Sequence, residues 1–434
     1  MVTNGYDSLS CIHLLYCDKS HYQQFTPPFD IPESWQWVRL EDIGDIVTGS
    51  TPSKSDTSNY GCEYPFYKPN DLEQGFFTTK SHDNLSAKGM AAARELPIGS
   101  VLVTCIGATI GKTGLIRTKG ASNQQINAII PNMAVDSEYL YYTVIGEYFQ
   151  NSIRESASST TLPILNKGDF SKLLIPIPPK DEQKRIIDLI LSLFDFVSNI
   201  ENAVSSLKDS IKTTKSKILE LAMQGKLVPQ DPGDEPAADL LRRINPKARI
   251  ITDNPHSWNI PHSWIWCQLG DIFQHNTGKA LNSSNHDGIE YEYITTSNVY
   301  WNRFELDDLK KMPFKENELE KCTVRQGDLL VCEGGDVGRS AMWTLDRNIM
   351  IQNHLHRLRP IANEILTPLY CHVFRLYKDK DLIGGKGIAL QGFSSKSLHQ
   401  LVIALPPSNE QNRIVAKVEE LYAVLDEIES SLQS

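Results

Sequence analysis

Apolar residues recur at alternating steps of three and four along one long stretch of the chain. The sequence predicts a helix from Asp181 to Gln224, with two prolines just ahead of it and Gly225 just after it. The apolar positions of this stretch are Ile186, Ile190, Leu193, Val197, Ile200, Val204, Leu207, Ile211, Ile218 and Leu221. Because an average period of 3.5 residues is typical of a coiled coil, we expect these positions to form its seam.

The pattern occurs twice. The segment Pro178–Ile186, of the form Pro-Pro-x-x-Glu-Gln-x-Arg-Ile, returns as Pro406–Ile414. The apolar positions that follow it in the second copy are Ile414, Val418, Leu421, Leu425 and Ile428. Upstream, the Trp-x-Trp at Trp35 and Trp37 returns at Trp264 and Trp266. One globular unit followed by one long helix has therefore been duplicated.

The duplication predicts an α+β fold with two tandem globular α/β domains. Long helices separate the domains and form an antiparallel coiled coil, with approximate twofold symmetry. The predicted parts are an N-terminal extension at 1–30, domain one at 31–180, a central helix at 181–225, a linker with a short helix at 226–255, domain two at 256–409 and a C-terminal helix at 410–434. The second helix is about 18 residues shorter than the first, so antiparallel pairing would leave residues near Asp181 to Asn199 without a partner helix.

Alternation of apolar and polar residues predicts the elements inside domain one. Strands are expected at 63–68, 75–79, 99–106, 115–116, 126–130 and 173–177. A single helix is expected over 136–155, and a short helix over 237–244 in the linker.

Composition places few further limits on the protein. Of 434 residues, 40% are apolar and 22% charged, as is usual for soluble proteins. No window approaches 18 apolar residues and no signal peptide is evident, so we expect a cytoplasmic protein without a membrane segment. The eight cysteines lack metal-ligand spacing and are expected to be reduced.

The net charge of −10 argues against indiscriminate binding of nucleic acid. The run from Gly338 to Arg359 is locally basic, with four arginines and two histidines against one aspartate. Such a face suits sequence-specific DNA contact, and it equally suits a solvated surface.

Two glycine-bearing segments resemble a phosphate-binding P-loop. Gly107–Thr113 has three residues between its glycines where the P-loop needs four, and Gly334–Ser340 ends in Arg-Ser. We interpret both as turns between strands that present a cation and a hydroxyl to a DNA phosphate or a guanine edge. The alternative is that the glycines only permit tight turning.

The candidate DNA-binding residues come from these turns and the neighbouring loops. They are Lys112, Thr113, Thr109, Lys54, Lys68, Arg339, Ser340, Arg303, Asn298 and His354. His354 and His356 would face the same side of a strand and are interpreted as DNA-facing or structural. The sequence shows no catalytic residue, no metal site and no adenine-methyltransferase tetrapeptide.

The paired Pro-Pro-x-x-Glu-Gln-x-Arg-Ile signatures resemble the specificity subunit (HsdS) of type I restriction–modification enzymes, as do the Trp-x-Trp openings and the segment Ile218–Pro232. The resemblance implies that each globular unit is a target recognition domain reading half of a bipartite site in double-stranded DNA. The helices would set the spacer and dock two modification (methyltransferase) subunits, and restriction (translocase/nuclease) subunits would join them in defence against foreign DNA.

The same resemblance implies a non-catalytic subunit that binds no cofactor itself. S-adenosylmethionine, ATP and Mg²⁺ would be bound by the partner subunits. Two alternatives remain open: an orphan sequence-specific DNA-binding protein that acts without such subunits, and a coiled-coil scaffold or P-loop enzyme.

Overall fold

The computed structural model describes residues 27–158, 162–254, 256–280, 287–383 and 394–432. Most of the predicted N-terminal extension therefore lies outside the described residues. The chain divides after Asn199 into two units, and this division falls within one continuous helix.

The elements of the first unit alternate short strands with short helices. In chain order they are β1 (Gln36–Arg39), α1 (Leu40–Ile43), β2 (Gly44–Thr48), β3 (Tyr60–Tyr67), β4 (Asp83–Leu85), α2 (Ala87–Ala92), β5 (Val101–Thr104), β6 (Thr113–Leu115), β7 (Ala121–Ser122), β8 (Ile126–Pro131), α3 (Ser137–Ile145), α4 (Glu147–Ser156), α5 (Lys167–Ser171), β9 (Leu174–Ile177) and the start of α6 (Lys180–Met223).

The second unit repeats this order with insertions. Its elements are α7 (Ala237–Ile244), β10 (Ile265–Gln268), α8 (Leu269–Ile272), β11 (Phe273–Thr277), β12 (Ile289–Ile294), β13 (Val299–Tyr300), β14 (Arg303–Phe304), β15 (Lys310–Phe314), α9 (Glu316–Cys322), β16 (Thr323–Val324), β17 (Leu329–Cys332), β18 (Ser340–Met342), β19 (Ile349–Ile351), β20 (Leu355–Pro360), α10 (Thr367–Asp379), α11 (Ser395–His399), β21 (Val402–Leu405) and α12 (Ser408–Ser431).

Each unit is built on a four-stranded antiparallel sheet with the same strand order. The order is β2-β8-β5-β6 in the first unit and β11-β20-β17-β18 in the second. Both faces of the sheet are covered. In β5, Val101 and Val103 face the helices, whereas Leu102 packs on the opposite side against Tyr67 and Leu72. A strand that is buried on both faces reads as a continuous apolar run, which explains the apolar stretch 101–103.

The first and last strands of each unit pair with one another. β1 pairs antiparallel with β9, placing Trp37 opposite Pro176, and β10 pairs with β21, placing Trp266 opposite Ala404. An aromatic cluster supports each pair. Its members are Phe29, Trp37 and Tyr148 in the first unit and Trp258, Trp266 and Tyr377 in the second. The second tryptophan of each duplicated Trp-x-Trp segment thus lies where the first and last strands of its unit pair.

A buried glutamine fastens each long helix to its globular unit. Gln183 is 0% exposed; its Oε1 accepts from the backbone N–H of Asp136 at 2.7 Å, and its Nε2 donates to the carbonyls of Ala134 and Pro178 at 3.1 and 3.0 Å. Gln411, also 0% exposed, repeats two of these bonds with Leu366 and Pro406. The glutamine of the repeated motif therefore has a structural role, and we call Gln183 and Gln411, with these hydrogen bonds, the latch of each unit.

Within the second unit, the end of α6 packs antiparallel to α12. The Lys215 ammonium lies 2.6 and 2.8 Å from carboxylate oxygens of Asp426 and Glu429, far along α12. Gln230, just beyond the end of α6, instead donates to Glu410 at the start of α12. A residue inside α6 therefore contacts the far end of α12, and a residue beyond the end of α6 contacts the start of α12, so the two helices run in opposite directions. The predicted antiparallel pairing is therefore present in this unit.

Burial of the predicted seam changes along α6 and α12. Ile211, Ile218, Ile414 and Val418 are buried, and Leu221, Leu421 and Leu425 are half-buried. Earlier in α6, Ile186, Ile190 and Val204 are half-buried. The exposed seam positions are Leu193, Val197, Ile200, Leu207 and Ile428. The apolar period therefore continues beyond the stretch of α6 that packs against α12.

Most predicted elements agree with the structure, and two do not. The long helix and the linker helix α7 are confirmed. The single helix expected over 136–155 is wrong, because Gly146 has an extended backbone (φ −63°, ψ 149°) that separates α3 from α4. The strand expected over 75–79 is also wrong, because Asp71–Phe77 forms 3₁₀ turns kinked at Gly75, whose φ is +60°.

The described residues also bear on membrane segments and thiols. Among them, no helix combines the length and the apolar character needed to cross a membrane. Cys62, Cys105, Cys267, Cys322, Cys332 and Cys371 are free thiols.

The latch gives a first prediction. Gln183→Leu removes three hydrogen bonds and leaves the buried carbonyl of Pro178 and the N–H of the half-buried Asp136 without this partner, so we expect a loss of about 3 kcal/mol in local stability. Hydrogen exchange of the amides near residues 134–140 and 182–190 measures this loss.

The neighbouring exposed Lys184 provides a matched control. Lys184→Leu should change the protection of these amides from hydrogen exchange only slightly, because substitutions of exposed residues usually have small effects on stability. Gln411→Leu should show a smaller loss in the second unit, where the latch makes two bonds. Equal protection in the Gln183→Leu and Lys184→Leu proteins would contradict the latch.

Candidate nucleic-acid interface

The two glycine-bearing segments form equivalent turns between paired strands. In the first unit, the turn joins β5 to β6, and the N–H of Gly111 donates to the carbonyl of Thr104 at 2.8 Å. In the second unit, the turn joins β17 to β18, and the N–H of Gly338 donates to Cys332 at 3.0 Å. Both glycines have positive φ, +86° and +85°. The predicted turns are confirmed, and a strand rather than a helix follows each, unlike a P-loop.

Each turn places its basic residue beside a segment of its own unit that contains a short 3₁₀ helix. The Lys112 ammonium lies 2.8 Å from the carboxylate of Glu73, in the 3₁₀ segment Asp71–Phe77. The hydrogen bond from Lys112 lowers the pKa of Glu73 below its ordinary value. Because the Glu73 side chain is 73% exposed, water screens the pair, and a phosphate can replace the carboxylate at low cost.

Arg339 occupies the equivalent position in the second unit. Its Nη2 donates to the carbonyl of Thr296 at 2.6 Å, and its guanidinium lies 5.4 Å from the centre of the Tyr300 ring. Its Nε is buried without a hydrogen-bond partner among the described residues. The side chain is thus fixed at one end and close to an aromatic ring.

The hairpin β13–β14 adds a second guanidinium to the same ring. Arg303 lies 4.3 Å from the Tyr300 ring centre, and Asn302 turns the hairpin with φ +57°. The Arg303 side chain is 60% exposed and pairs with Glu305 at 2.7 Å, which lowers the pKa of Glu305. We call Tyr300, Arg303 and Arg339 the arginine–tyrosine cluster. Guanidinium groups beside an aromatic ring can contact phosphates, stack on bases or read a guanine edge.

The first unit has its own cationic and aromatic cluster, of different composition. Arg117 lies 4.4 Å from the ring centre of Phe76 and 5.5 Å from that of Phe77, which is 67% exposed. Arg117 also pairs with Glu138 at 2.9 Å. Sequence reasoning missed Tyr300, Phe76, Phe77 and Arg117. A signal was available only for the phenylalanines, which are adjacent to each other and follow Gly75 directly.

Both predicted hydroxyls of the turns lie inside the protein. Thr113 is 7% exposed and donates to the carbonyl of Gly111, and Ser340 is 0% exposed. Thr113 is the first residue of β6 and Ser340 is the first residue of β18, and both strands belong to the four-stranded sheet of their unit. They do not present a hydroxyl at the surface as the sequence suggested. Thr109 is half-buried, and its backbone carbonyl shapes the turn by accepting from the N–H of Lys112 at 3.1 Å.

The remaining polar candidates divide into exposed and internally bonded groups. Lys54 is exposed in the loop before β3. Lys68 pairs with Asp83 and lowers the pKa of that carboxyl. Asn298 accepts from the N–H of Thr295 at 2.9 Å and donates to the carbonyl of Glu305 at 3.0 Å. Asn298 therefore supports the β13–β14 hairpin with its own side chain.

The two histidines are placed differently from each other. His354 precedes β20 in a turn with φ +73°, and its exposed ring lies 3.5 Å from Glu333. His356 is 0% exposed, and its Nδ1 is 2.9 Å from Nε2 of His275. Burial, reinforced by His356, lowers the pKa of His275 to about 4. The expectation that His354 and His356 share one face of a strand is wrong, because the turn at His354 breaks the alternation.

Comparison with known families agrees with this duplicated geometry. The family described as type I restriction modification DNA specificity domain matches residues 32–208 and 261–434. The chain belongs to this family. It is therefore a DNA sequence-specificity subunit of a type I restriction–modification system, a non-catalytic component of the complex, with DNA and the other subunits of the system as its partners. This membership favours the specificity subunit over an orphan DNA-binding protein.

Two curated relatives illustrate the range of similarity. The HindI specificity subunit of Haemophilus influenzae is 34% identical over 177 residues, which cover 40% of this chain and 38% of that protein. The EcoEI specificity subunit of Escherichia coli is 24% identical, over 94% of this chain and 81% of that protein.

Solved structures show the same fold. The HsdS subunit of Thermoanaerobacter tengcongensis gives a TM-score of 0.62 at 17% identity, covering 94% of this chain and 92% of that one. A chain from a study of type I system assembly and conformational transition gives 0.58 at 18% identity, covering 94% of both chains. The predicted fold class is confirmed.

The arginine–tyrosine cluster gives a prediction for DNA binding. Arg303→Ala should weaken binding to the subunit's own site by roughly tenfold, because an exposed guanidinium beside a stacking ring is lost. Fluorescence anisotropy of the assembled complex with a labelled duplex measures the affinity at several salt concentrations.

Arg242→Ala is the matched control, since Arg242 is also exposed in the second unit but lies on the linker helix α7. If both variants bind the duplex as tightly as the wild type, the cluster does not contact DNA.

Proposed function

We propose that each unit reads one half of a bipartite, asymmetric site in double-stranded DNA. The observation that carries the proposal is the repeated frame with different surface chemistry. The same turn and the same sheet order place Lys112 beside Glu73 in the first unit and Arg339 beside Tyr300 in the second. One frame with two sets of contacts suits one task performed on two sequences.

The chemistry of the two clusters suits different kinds of contact. A lysine donates to phosphate as a point charge, whereas arginine presents a planar fork that can pair with a guanine edge. The first unit exposes Phe77 beside Arg117, and the second exposes Arg303 beside Tyr300. The different side chains support different half-site sequences.

The continuous helix supports a fixed spacer between the half-sites. α6 has 44 residues, which corresponds to about 66 Å at 1.5 Å per residue. A continuous helix resists bending, so its length limits the number of base pairs left between the two readers.

The chemistry of the system would reside in companion subunits. Two modification (methyltransferase) subunits would dock on the helices of this chain, and restriction subunits would join them. S-adenosylmethionine, ATP and Mg²⁺ would be bound by those partners. Membership of the DNA specificity domain family supports this division, because the matched family model describes the specificity component of such systems.

Methylation mapping tests the proposed reading directly. Genome-wide mapping with and without this gene, in cells that carry the companion subunits, should reveal a split motif that depends on the gene. Replacing residues 31–180 with the equivalent domain of another specificity subunit should change one half of the motif and leave the other unchanged. A change in both halves, or in neither, would contradict independent reading.

A second variant tests whether the length of the helix determines the length of the spacer. Inserting seven residues between Phe196 and Ser205 adds two helical turns, about 10.5 Å, and keeps the apolar phase. This stretch precedes the contact of Lys215 with α12, so that packing is kept. The mapped motif should gain about three base pairs of spacer at 3.4 Å each. An unchanged spacer would exclude the helix as the determinant of its length.

A further inference from the structure

Each glycine-bearing turn is held in place by a polar side chain of a nearby helix. In the first unit, Nε2 of Gln150 in α4 donates to the carbonyl of Gly111 at 3.0 Å and to that of Val144, in α3, at 2.9 Å. In the second unit, Nζ of Lys378 in α10 donates to the carbonyl of Val337 at 3.2 Å. We call Gln150 and Lys378 the bracing residues of the two turns.

The two bonds reach neighbouring positions of equivalent turns. Gly111 and Gly338 hold the same place, because each directly precedes the basic residue of its turn and donates its N–H to the last residue of the strand before the turn. Gln150 binds the carbonyl of Gly111 itself, and Lys378 binds the carbonyl one residue ahead of Gly338. Each bond therefore restrains the backbone within two residues of the basic side chain.

The first turn approaches its bracing residue closely. A Cβ at Gly111 would lie 2.3 Å from Oε1 of Gln150, so a side chain at this position would displace the glutamine. The hydroxyl of Thr113 donates to the same carbonyl of Gly111 at 2.8 Å. This carbonyl thus accepts two side-chain hydrogen bonds, which fix the peptide plane directly before Lys112.

In the second unit, the bracing residue also controls a charge. The Lys378 ammonium lies 3.0 Å from Oδ1 of Asp336, inside the turn. Without this partner, the carboxylate would be available to the guanidinium of Arg339, three residues later, and would compete with DNA for it. The Asp336 side chain is 38% exposed, so water screens the pair and its contribution to stability is small.

The helices that carry the bracing residues are themselves fixed to the last strand of each unit. The hydroxyl of Tyr148 in α4 donates to the carbonyl of Leu174 in β9 at 3.4 Å. The hydroxyl of Tyr377 in α10 donates to the carbonyl of Val402 in β21 at 3.0 Å. Because one helix contacts both the strand pair and the turn, it sets the position of the turn relative to the rest of its unit.

We propose that Gln150 and Lys378 are positioning residues for DNA recognition, which act through the turn backbone on Lys112 and Arg339. A turn that is free to move loses conformational entropy when it binds DNA, whereas a restrained turn has already lost it. The two units thus use different side chains for the same role. This inference rests on the proposed function, because it requires both turns to contact the duplex.

Replacement of Lys378 tests the inference in the assembled complex. Fluorescence anisotropy measures the affinity for a labelled duplex that carries the motif found by methylation mapping. Lys378→Met should weaken binding roughly fivefold, because the bond to the turn and the partner of Asp336 are both lost. Lys378→Arg keeps a cationic donor and should bind within about twofold of the wild type.

A double variant separates positioning from a general loss of structure. In the Arg339→Ala background, Lys378→Met should cause less than about a twofold further loss, because the residue through which it acts is already absent. A merely structural role would lower the affinity by the same factor in both backgrounds. Lys380→Met is the matched control and should leave the affinity unchanged, because Lys380 pairs with Glu220 and not with the turn.

Gln150→Met repeats the test in the first unit and is independent of how the Lys378 variants fold. It should weaken binding roughly fivefold in the wild-type background and by less than about twofold in the Lys112→Ala background. Asn151→Met, at an exposed position of the same helix, is its control. Circular dichroism establishes that each variant is folded.

The single variants of the basic residues separate failure of this inference from failure of the proposed function. If Arg339→Ala and Lys112→Ala weaken binding but Lys378→Met and Gln150→Met do not, the positioning role is overturned and the proposed reading stands. Equal losses in both backgrounds would also overturn the positioning role. If Arg339→Ala and Lys112→Ala bind as tightly as the wild type, the turns do not contact DNA, and the inference is overturned together with that part of the proposed function.

Discussion

The structure depends on how each long helix is fixed to the unit it leaves. A helix can transmit a set distance only if its first turn cannot pivot, and a buried amide with three directed hydrogen bonds supplies that restraint at Gln183. Glutamine is suited to this position because one side chain both donates and accepts, so it satisfies backbone groups on two sides of the joint. The same residue type at Gln411 shows that the joint was copied along with the unit.

Charge is handled locally in a chain whose net charge is −10. The cations nearest the two turns are held by nearby acceptors: Lys112 by Glu73, Arg303 by Glu305 and Arg339 by a carbonyl. Under the proposed reading, a duplex must replace such a partner before it gains the contact. When any phosphate replaces the acceptor, the net gain in binding free energy is small, whereas the edges of the correct bases add directed hydrogen bonds. The arrangement favours selective over indiscriminate binding.

The sequence was sufficient for the features that repeat. The 3.5-residue period predicted α6 within one residue at each end, and the doubled motif predicted two units of one fold. Local detail was harder, because it depends on packing. Gly146 divides a helix that its apolar pattern would continue, and Gly75 bends a stretch with strand-like composition. Sequence spacing could place Ser340 in a turn, but only the sheet shows that its hydroxyl is covered. The roles of Tyr300 and Arg117 required knowing which segments lie beside the turns, which a single sequence does not reveal.

The pairing of first and last strands has a consequence for biosynthesis. β1 meets β9 only through contacts such as Gln36 with Ile177, 141 positions apart (177 − 36), so this pair closes a long loop and forms late. On the ribosome, β1 remains unpaired, with Trp37 and the preceding Trp35 uncovered, until β9 has emerged. The second unit has the same constraint, because Ile265 of β10 pairs with Leu405 of β21, 140 positions later (405 − 265). The nascent chain is therefore most prone to aggregation just before each of these closing strands is released, which makes them the points where a chaperone would matter most.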